Sequence, residues 1–224
     1  WISDKTRYAC DGLLKQRIDI PYIRENGKLI KSTWKQTINF LAKKLKSFQP
    51  DEVAGIVGDL ADLEMIYSFK SFFNRSLGSN NLECRQDRIY INPRERMNYI
   101  FNSSINGIEE SDLILLVGTN PRLEATILNA RIRKAYVKNK IKIYSIGNSG
   151  DLTYPYENIG SSTSIIKEIT SDSHPISEKI KNSKKPIVII GESALYGEKG
   201  KYIFEEMKKF LFKNNFIKKD WNAL

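Results

Sequence analysis

The residues whose types and spacing suit them to chemistry meet at Gly118-Thr-Asn-Pro121. The five residues before them, Leu113-Ile-Leu-Leu-Val117, are all apolar. Such a run is too short for a helical core and fits a strand buried on both faces. Gly118 permits a tight turn, and Pro121 presets the backbone angle of a first helical turn. A strand that enters a helix through Gly and Thr presents free backbone N–H groups, so the chemistry expected is the holding of an anion, such as a cofactor phosphate. Gly118, Thr119 and Asn120, with Gly147 closing the next expected strand, are the candidate pocket residues.

Other chemistry is excluded by what the chain lacks. It has no GxGxxG and no GxxxxGK[ST], the two common phosphate-cradling patterns. A single histidine, His174, rules out a Ser/His/Asp triad and a His-based metal site. Cys10 and Cys84 stand far apart with no CxxC spacing, which excludes a disulfide framework or a closed zinc site. They read as reduced thiols, and His174-Pro175 reads as a surface loop. The carboxylate pairs Glu109-Glu110 and Glu205-Glu206 read as solvated surface groups, not as acid/base partners. No catalytic residue and no metal ligand are expected.

The chain has 224 residues, a 41% apolar fraction and a net charge of +10. The apolar fraction suffices for a real core. The basic excess is spread over Lys43-Lys44, Lys184-Lys185, Lys208-Lys209 and Lys218-Lys219, and a coding bias towards Lys, Ile and Asn explains it without a nucleic-acid partner. No apolar run is long enough to span a membrane, and no secretory leader pattern is present. An opening Trp1 in place of Met reads as a processed chain or an excised segment.

The elements that must position the turn follow from periodicity. Residues 1–31 read as an irregular lead with a hairpin around Glu25-Asn-Gly27, and Pro21 confines its strand to an edge. Ser32 or Thr33 caps a helix carrying Trp34, Ile38, Leu41, Leu45 and Phe48. A strand at Val53 to Val57 ends at Gly58, and Asp59 is placed to cap a helix with Leu63, Ile66, Phe69 and Phe73. Residues 78–107 show no periodicity, which in a compact domain marks a stretch that lines something. Beyond the strand 113–117, a helix over 122–138 is expected to turn Leu123, Ile127, Ala130, Ile132 and Val137 inward. Strand Ile141 to Ile146 completes a right-handed βαβ unit. A short helix with Ile165, Ile166 and Ile169, a strand Ile187 to Ile190, and a helix over 201–213 with Phe204, Met207, Phe210 and Leu211 follow. The fold class is therefore α/β, a mostly parallel sheet with flanking helices. Gly58, Gly118, Gly147 and Gly191 stand at the carboxyl ends of its strands, where open sheets bind ligands.

Three segments carry a family resemblance: Trp1-Ile-Ser-Asp-Lys-Thr-Arg-Tyr-Ala-Cys-Asp-Gly-Leu13; Pro21-Tyr-Ile-Arg24 with Ser32-Thr-Trp34; and Gly107 through Ala125 followed by Asn129-Ala-Arg-Ile-Arg-Lys134. Asp151-Leu-Thr-Tyr154 and Lys185-Pro186 extend it. In this order they resemble the large iron–sulfur subunit of respiratory complex I, NADH:quinone oxidoreductase, in its molybdopterin-oxidoreductase-like region. The resemblance implies a Rossmann-like fold and a division into a lead, 1–31, that packs on an iron–sulfur module or on the α/β body, and an α/β region, 32–224. It implies iron–sulfur clusters upstream of Trp1 and none within this segment. It also implies partners among the other peripheral-arm subunits, no nucleic acid, and membrane contact only through the complex. The place implied is the matrix side of the mitochondrial inner membrane, or the cytoplasmic face of a bacterial one.

Molybdenum-containing relatives carry a metal ligand after a loop that Gly78-Ser-Asn-Asn81 resembles, but the matching positions here are Asp87, Arg88 and Ile89, with Cys84 out of register. Where such relatives place an Asp-Pro-Arg phosphate contact, this chain has Gly147-Asn-Ser-Gly150. The resemblance thus implies a domain that kept the fold without the cofactor, leaving Gly118, Thr119, Asn120 and Gly147 as a vestigial pocket. Two other readings are a molybdopterin-dependent oxidoreductase fragment with a live pocket and a nucleotide-binding Rossmann-like module.

Overall fold

The structure, a computed structural model, describes residues 2–15, 17–58, 60–84 and 88–224. The expectations placed on Trp1, Asp59 and Asp87 lie outside the described residues. The chain divides into two compact units, residues 4–86 and residues 87–224 joined by residues 1–3.

The unit 4–86 begins with α1 (Asp4–Tyr8) and a 3-10 turn, Ala9–Leu14. Strands β1 (Tyr22–Glu25) and β2 (Lys28–Lys31) pair antiparallel with Ile23 opposite Ile30. Asn26 and Gly27 both take positive φ, 48° and 81°, the geometry that makes Asn-Gly favourable in a two-residue hairpin. Helix α2 (Trp34–Leu45) opens on a reciprocal capping box: the Thr33 hydroxyl accepts from the Gln36 N–H, and the Gln36 side chain accepts from the Thr33 N–H.

The expected strand at Val53 to Val57 shortens to β3 (Gly55–Ile56). Helix α3 (Leu63–Ser71) is capped by Asp62, whose carboxylate accepts from the Met65 N–H at 2.7 Å. Strand β4 (Leu82–Glu83) runs parallel to β3. The Ser79 hydroxyl donates to the Val53 carbonyl at 2.6 Å, and the Asn81 amide to the Asp51 carbonyl at 3.0 Å. The Gly78-Ser-Asn-Asn81 loop is therefore held to the backbone leading into β3.

The unit 87–224 holds the main core. After α4 (Ser104–Gly107) come β5 (Leu113–Val117), α5 (Pro121–Glu124), α6 (Thr126–Asn139) and β6 (Lys142–Ile146). They are followed by β7 (Glu157–Gly160), α7 (Ser164–Thr170), α8 (Pro175–Lys181), β8 (Pro186–Ile190), α9 (Glu192–Leu195) and α10 (Glu198–Lys213). The sheet is parallel throughout, in the order β7-β6-β5-β8. The chain moves outward from β5 to β6 and β7, then crosses back to the far side of β5. Right-handed crossovers in opposite directions put their helices on opposite faces, so the order reverses at the end of β5. Every residue of β5 is buried, as its apolar run requires of a central strand.

Several expectations change here. Helix 122–138 is two helices, because Ala125 leaves helical geometry at φ −147° and ψ 69°. Within α6 the buried residues are Asn129, Ile132 and Ala135, so Ile132 faces inward as expected. Leu123 and Val137 are 71% and 55% exposed, and Ala130 is exposed as well. A polar inward residue is tolerated because the Asn129 amide donates to the Leu152 carbonyl and accepts the Tyr154 hydroxyl. His174 is a helix cap, half-buried, with Nδ1 accepting from the Ile176 N–H at 3.2 Å. The irregular stretch before α4 does line something: Tyr90, Met97 and Phe101 close an apolar cleft of about 390 Å³ against Val188, Ile190 and Phe204.

Candidate functional site

The carboxyl ends of β5, β6 and β8 bring Gly118, Gly147 and Gly191 to one edge of the sheet; Gly58 belongs to the other unit. Gly118 and Gly147 are left-handed, at φ 56° and 96°, a conformation glycine adopts without strain. A cleft of about 220 Å³ opens here, lined by Gly118, Gly147, Ser161, Ser193, Ala194 and Lys199 among others. Pockets for small ligands and cofactors usually begin near 300 Å³.

Side chains of the protein itself fill the crevice between β5 and β8. A Cβ on Gly118 would stand 2.7 Å from the Ala194 methyl and 2.8 Å from its backbone nitrogen. A Cβ on Gly191 would collide with Thr119. The Ser193 hydroxyl donates to the Gly118 carbonyl at 2.5 Å. Helix α9 is thus seated directly on the turn.

The donors of the turn are engaged as well. Asn120 caps α5, its side chain accepting from the Leu123 N–H at 3.2 Å. The Glu124 carboxylate accepts from the Thr119 hydroxyl at 2.7 Å and from the Asn120 N–H at 2.9 Å. An acidic side chain occupies the position where the sequence suggested an external anion. Arg122, the nearest guanidinium along the chain, is paired with Asp151 at 2.6 Å. The Thr153 N–H and then Arg122 hold the Asp151 carboxyl below its ordinary range. The turn 147–150 is closed by its own side chains: Asn158 donates to the Gly147 carbonyl, Asn148 accepts from the Gly150 N–H, and Ser145 and Ser149 share a buried hydrogen bond of 2.6 Å.

Of the sequence-selected residues, Gly118, Thr119, Asn120 and Gly147 do come together. The residues the sequence reading missed are Glu124, Ser193 and Ala194. An acid in the first helical turn after an Asn cap was the available signal for Glu124. These groups do not fit a polyanionic pterin: the Glu124 carboxylate already takes the Thr119 and Asn120 donors, and Lys199 is the only basic residue lining the cleft among the described residues.

The Glu109 carboxyl, expected to be solvated, is half-buried and pulled low by Lys134 and Arg131, each 2.8 Å away. Glu205 is half-buried and accepts the Tyr90 hydroxyl at 2.7 Å, which lowers its pKa, with a further bond from Asn92. Cys10 and Cys84 are exposed free thiols, and no cluster of His, Cys, Asp and Glu suited to a metal occurs among the described residues.

A family model described as molybdopterin oxidoreductase matches residues 17–224. All of this chain aligns with the NADH-ubiquinone oxidoreductase 75 kDa subunit of Reclinomonas americana at 42% identity, spanning 34% of that protein. It aligns over its whole length with an NADH-quinone oxidoreductase subunit of Rickettsia bellii at 37%, spanning 33% of that protein. With the mitochondrial NADH dehydrogenase [ubiquinone] iron-sulfur protein 1 of Solanum tuberosum the figures are 36% identity and 30% of that protein's length. The chain therefore spans about a third of the curated relatives it matches.

Proposed function

Because the chain belongs to the molybdopterin oxidoreductase family, we propose that it is a non-catalytic structural part of the large iron–sulfur subunit of complex I. In this reading the subunit supports electron transfer from NADH to quinone, its iron–sulfur clusters lie upstream of Trp1, and this segment holds no redox centre. The observation that carries the non-catalytic reading is Glu124, whose carboxylate takes the two donors an anionic cofactor would need. The names of the relatives support the assembly. Residues 1–31 act as a lead that docks on the iron–sulfur module or on the α/β body, a role that suits the exposed Tyr8, Leu13 and Leu14.

No helix among the described residues is long and apolar enough to cross a membrane. In this reading the chain reaches the membrane only through other peripheral-arm subunits, on the matrix side of the mitochondrial inner membrane or the cytoplasmic face of a bacterial one. Purifying the full-length protein from its own cells tests the proposal. The preparation should carry NADH-oxidising activity and iron, with no stoichiometric molybdenum or tungsten. One atom of either metal per chain, with releasable pterin, overturns the non-catalytic reading; absence of NADH oxidation overturns the assembly.

A further inference from the structure

The outward side of α6 carries a groove of about 530 Å³ lined by Ile105, Ile127, Ala130, Arg131 and Lys134. Ile127, Ala130, Lys134 and Val137 follow one another at spacings of three, four and three residues, so they share one face of the helix. Asn129, Ile132 and Ala135 take the opposite, buried face. The outward stripe is apolar where a solvated face would be polar: Ile105 is 47% exposed and Val137 55%. Lys134 sits within it and reaches Glu109 with its amine, leaving its methylenes along the stripe.

The charge beside the stripe is one-sided. Helix α6 contains Arg131, Arg133, Lys134 and Lys138 and no acidic residue. A single carboxylate, Glu109, lies 2.8 Å from both Arg131 and Lys134. Arg133 and Lys138 have no carboxylate within salt-bridge distance among the described residues. On the helix, Arg131 and Lys138 border the stripe on one side and Arg133 on the other. An apolar stripe bordered by cations in excess of their one carboxylate suits an amphipathic helix with acids beside its apolar residues. A second copy docked through the same face would set these cations against each other.

We propose that the outer face of α6 docks an acidic amphipathic helix of another polypeptide. The test places a photo-cross-linking amino acid at position 130, and separately at 137, in the full-length protein within its own cells, and sequences the captured peptide. Both positions are exposed, so the probes leave the core intact, which a thermal melt verifies. The expected capture is one peptide of another protein with apolar residues at helical spacing and net negative charge. Arg133→Glu with Lys138→Glu should cut the yield at least about fivefold, while Lys201→Glu on α10 leaves it unchanged. The proposal is overturned by no capture from either position, by capture of a segment of the same polypeptide, a second copy, nucleic acid or lipid, by a peptide without excess acid, or by a yield indifferent to charge reversal.

Discussion

Glu124 does at this turn what a bound anion does at many strand-to-helix junctions. Its carboxylate accepts from the Thr119 hydroxyl and the Asn120 N–H, so their donors are satisfied from within. Glu124→Ala should lower the unfolding free energy by about 1–2 kcal/mol, since two hydrogen bonds to a partly exposed charged group are lost. Glu124→Gln should cost less, and equal losses in urea melts of the two variants would refute the assignment. Gly118 is constrained twice, by its positive φ and by the seat of Ala194. Gly118→Val should therefore destabilise by at least about 3 kcal/mol; an unchanged melting temperature would contradict the packing. The sequence marked Gly118, Thr119, Asn120 and Gly147 because glycine and short polar residues after a strand have a local meaning. It hid Ala194, because a methyl group from a helix far along the chain has no local signature.

The three buried strands β5, β6 and β8 were legible as elements. Leu113–Val117 has the bounds the apolar run suggested, since a central parallel strand is buried on both faces and needs no alternation. Helix α6 was harder, because its inward face includes Asn129, a polar residue made acceptable by Tyr154 and Leu152. Strand β7 and helix α8 were missed: the first is a four-residue edge strand with a mixed pattern, and the second is capped by a histidine. The entrance to β8 is tied by Asp112, which accepts from the Ser183 hydroxyl and from the Lys184 and Lys185 N–H groups. Partial burial opposes ionisation of Asp112, but these bonds outweigh it and its folded pKa lies below the ordinary value. The stabilisation is therefore complete above about pH 4 and is lost as pH falls through the folded pKa. Asp112→Asn should flatten the acid limb of a stability-against-pH curve. A limb as steep as the parent's would remove Asp112 from this role.

At the scale of the whole molecule the two units differ in how much they bury. The sheet unit holds an extended core from Ile108 to Leu224, whereas Phe73 is the only buried large apolar residue among those described in the unit 4–86. Hydrogen exchange should follow this difference, slowest at the amides of β5 and β6 and faster by orders of magnitude along α2, which buries no residue. Comparable protection in α2 and β5 within the isolated protein would show that burial does not set the order. The succession of helix and strand patterns placed the molecule in the α/β class, but the unequal burial was not readable, since apolar residues are abundant in both halves. The seat of α9 on Gly118 has a consequence for any attempt to change what this molecule binds. Deleting the Glu124 carboxylate leaves Ala194 pressed on the turn, and withdrawing Ala194 leaves the carboxylate on its donors. Each obstacle stands without the other, so no single substitution opens the crevice, and the first step of a two-step route gains nothing for binding while costing stability. Selection acting one mutation at a time meets a barrier there, and an engineer would have to change both places at once.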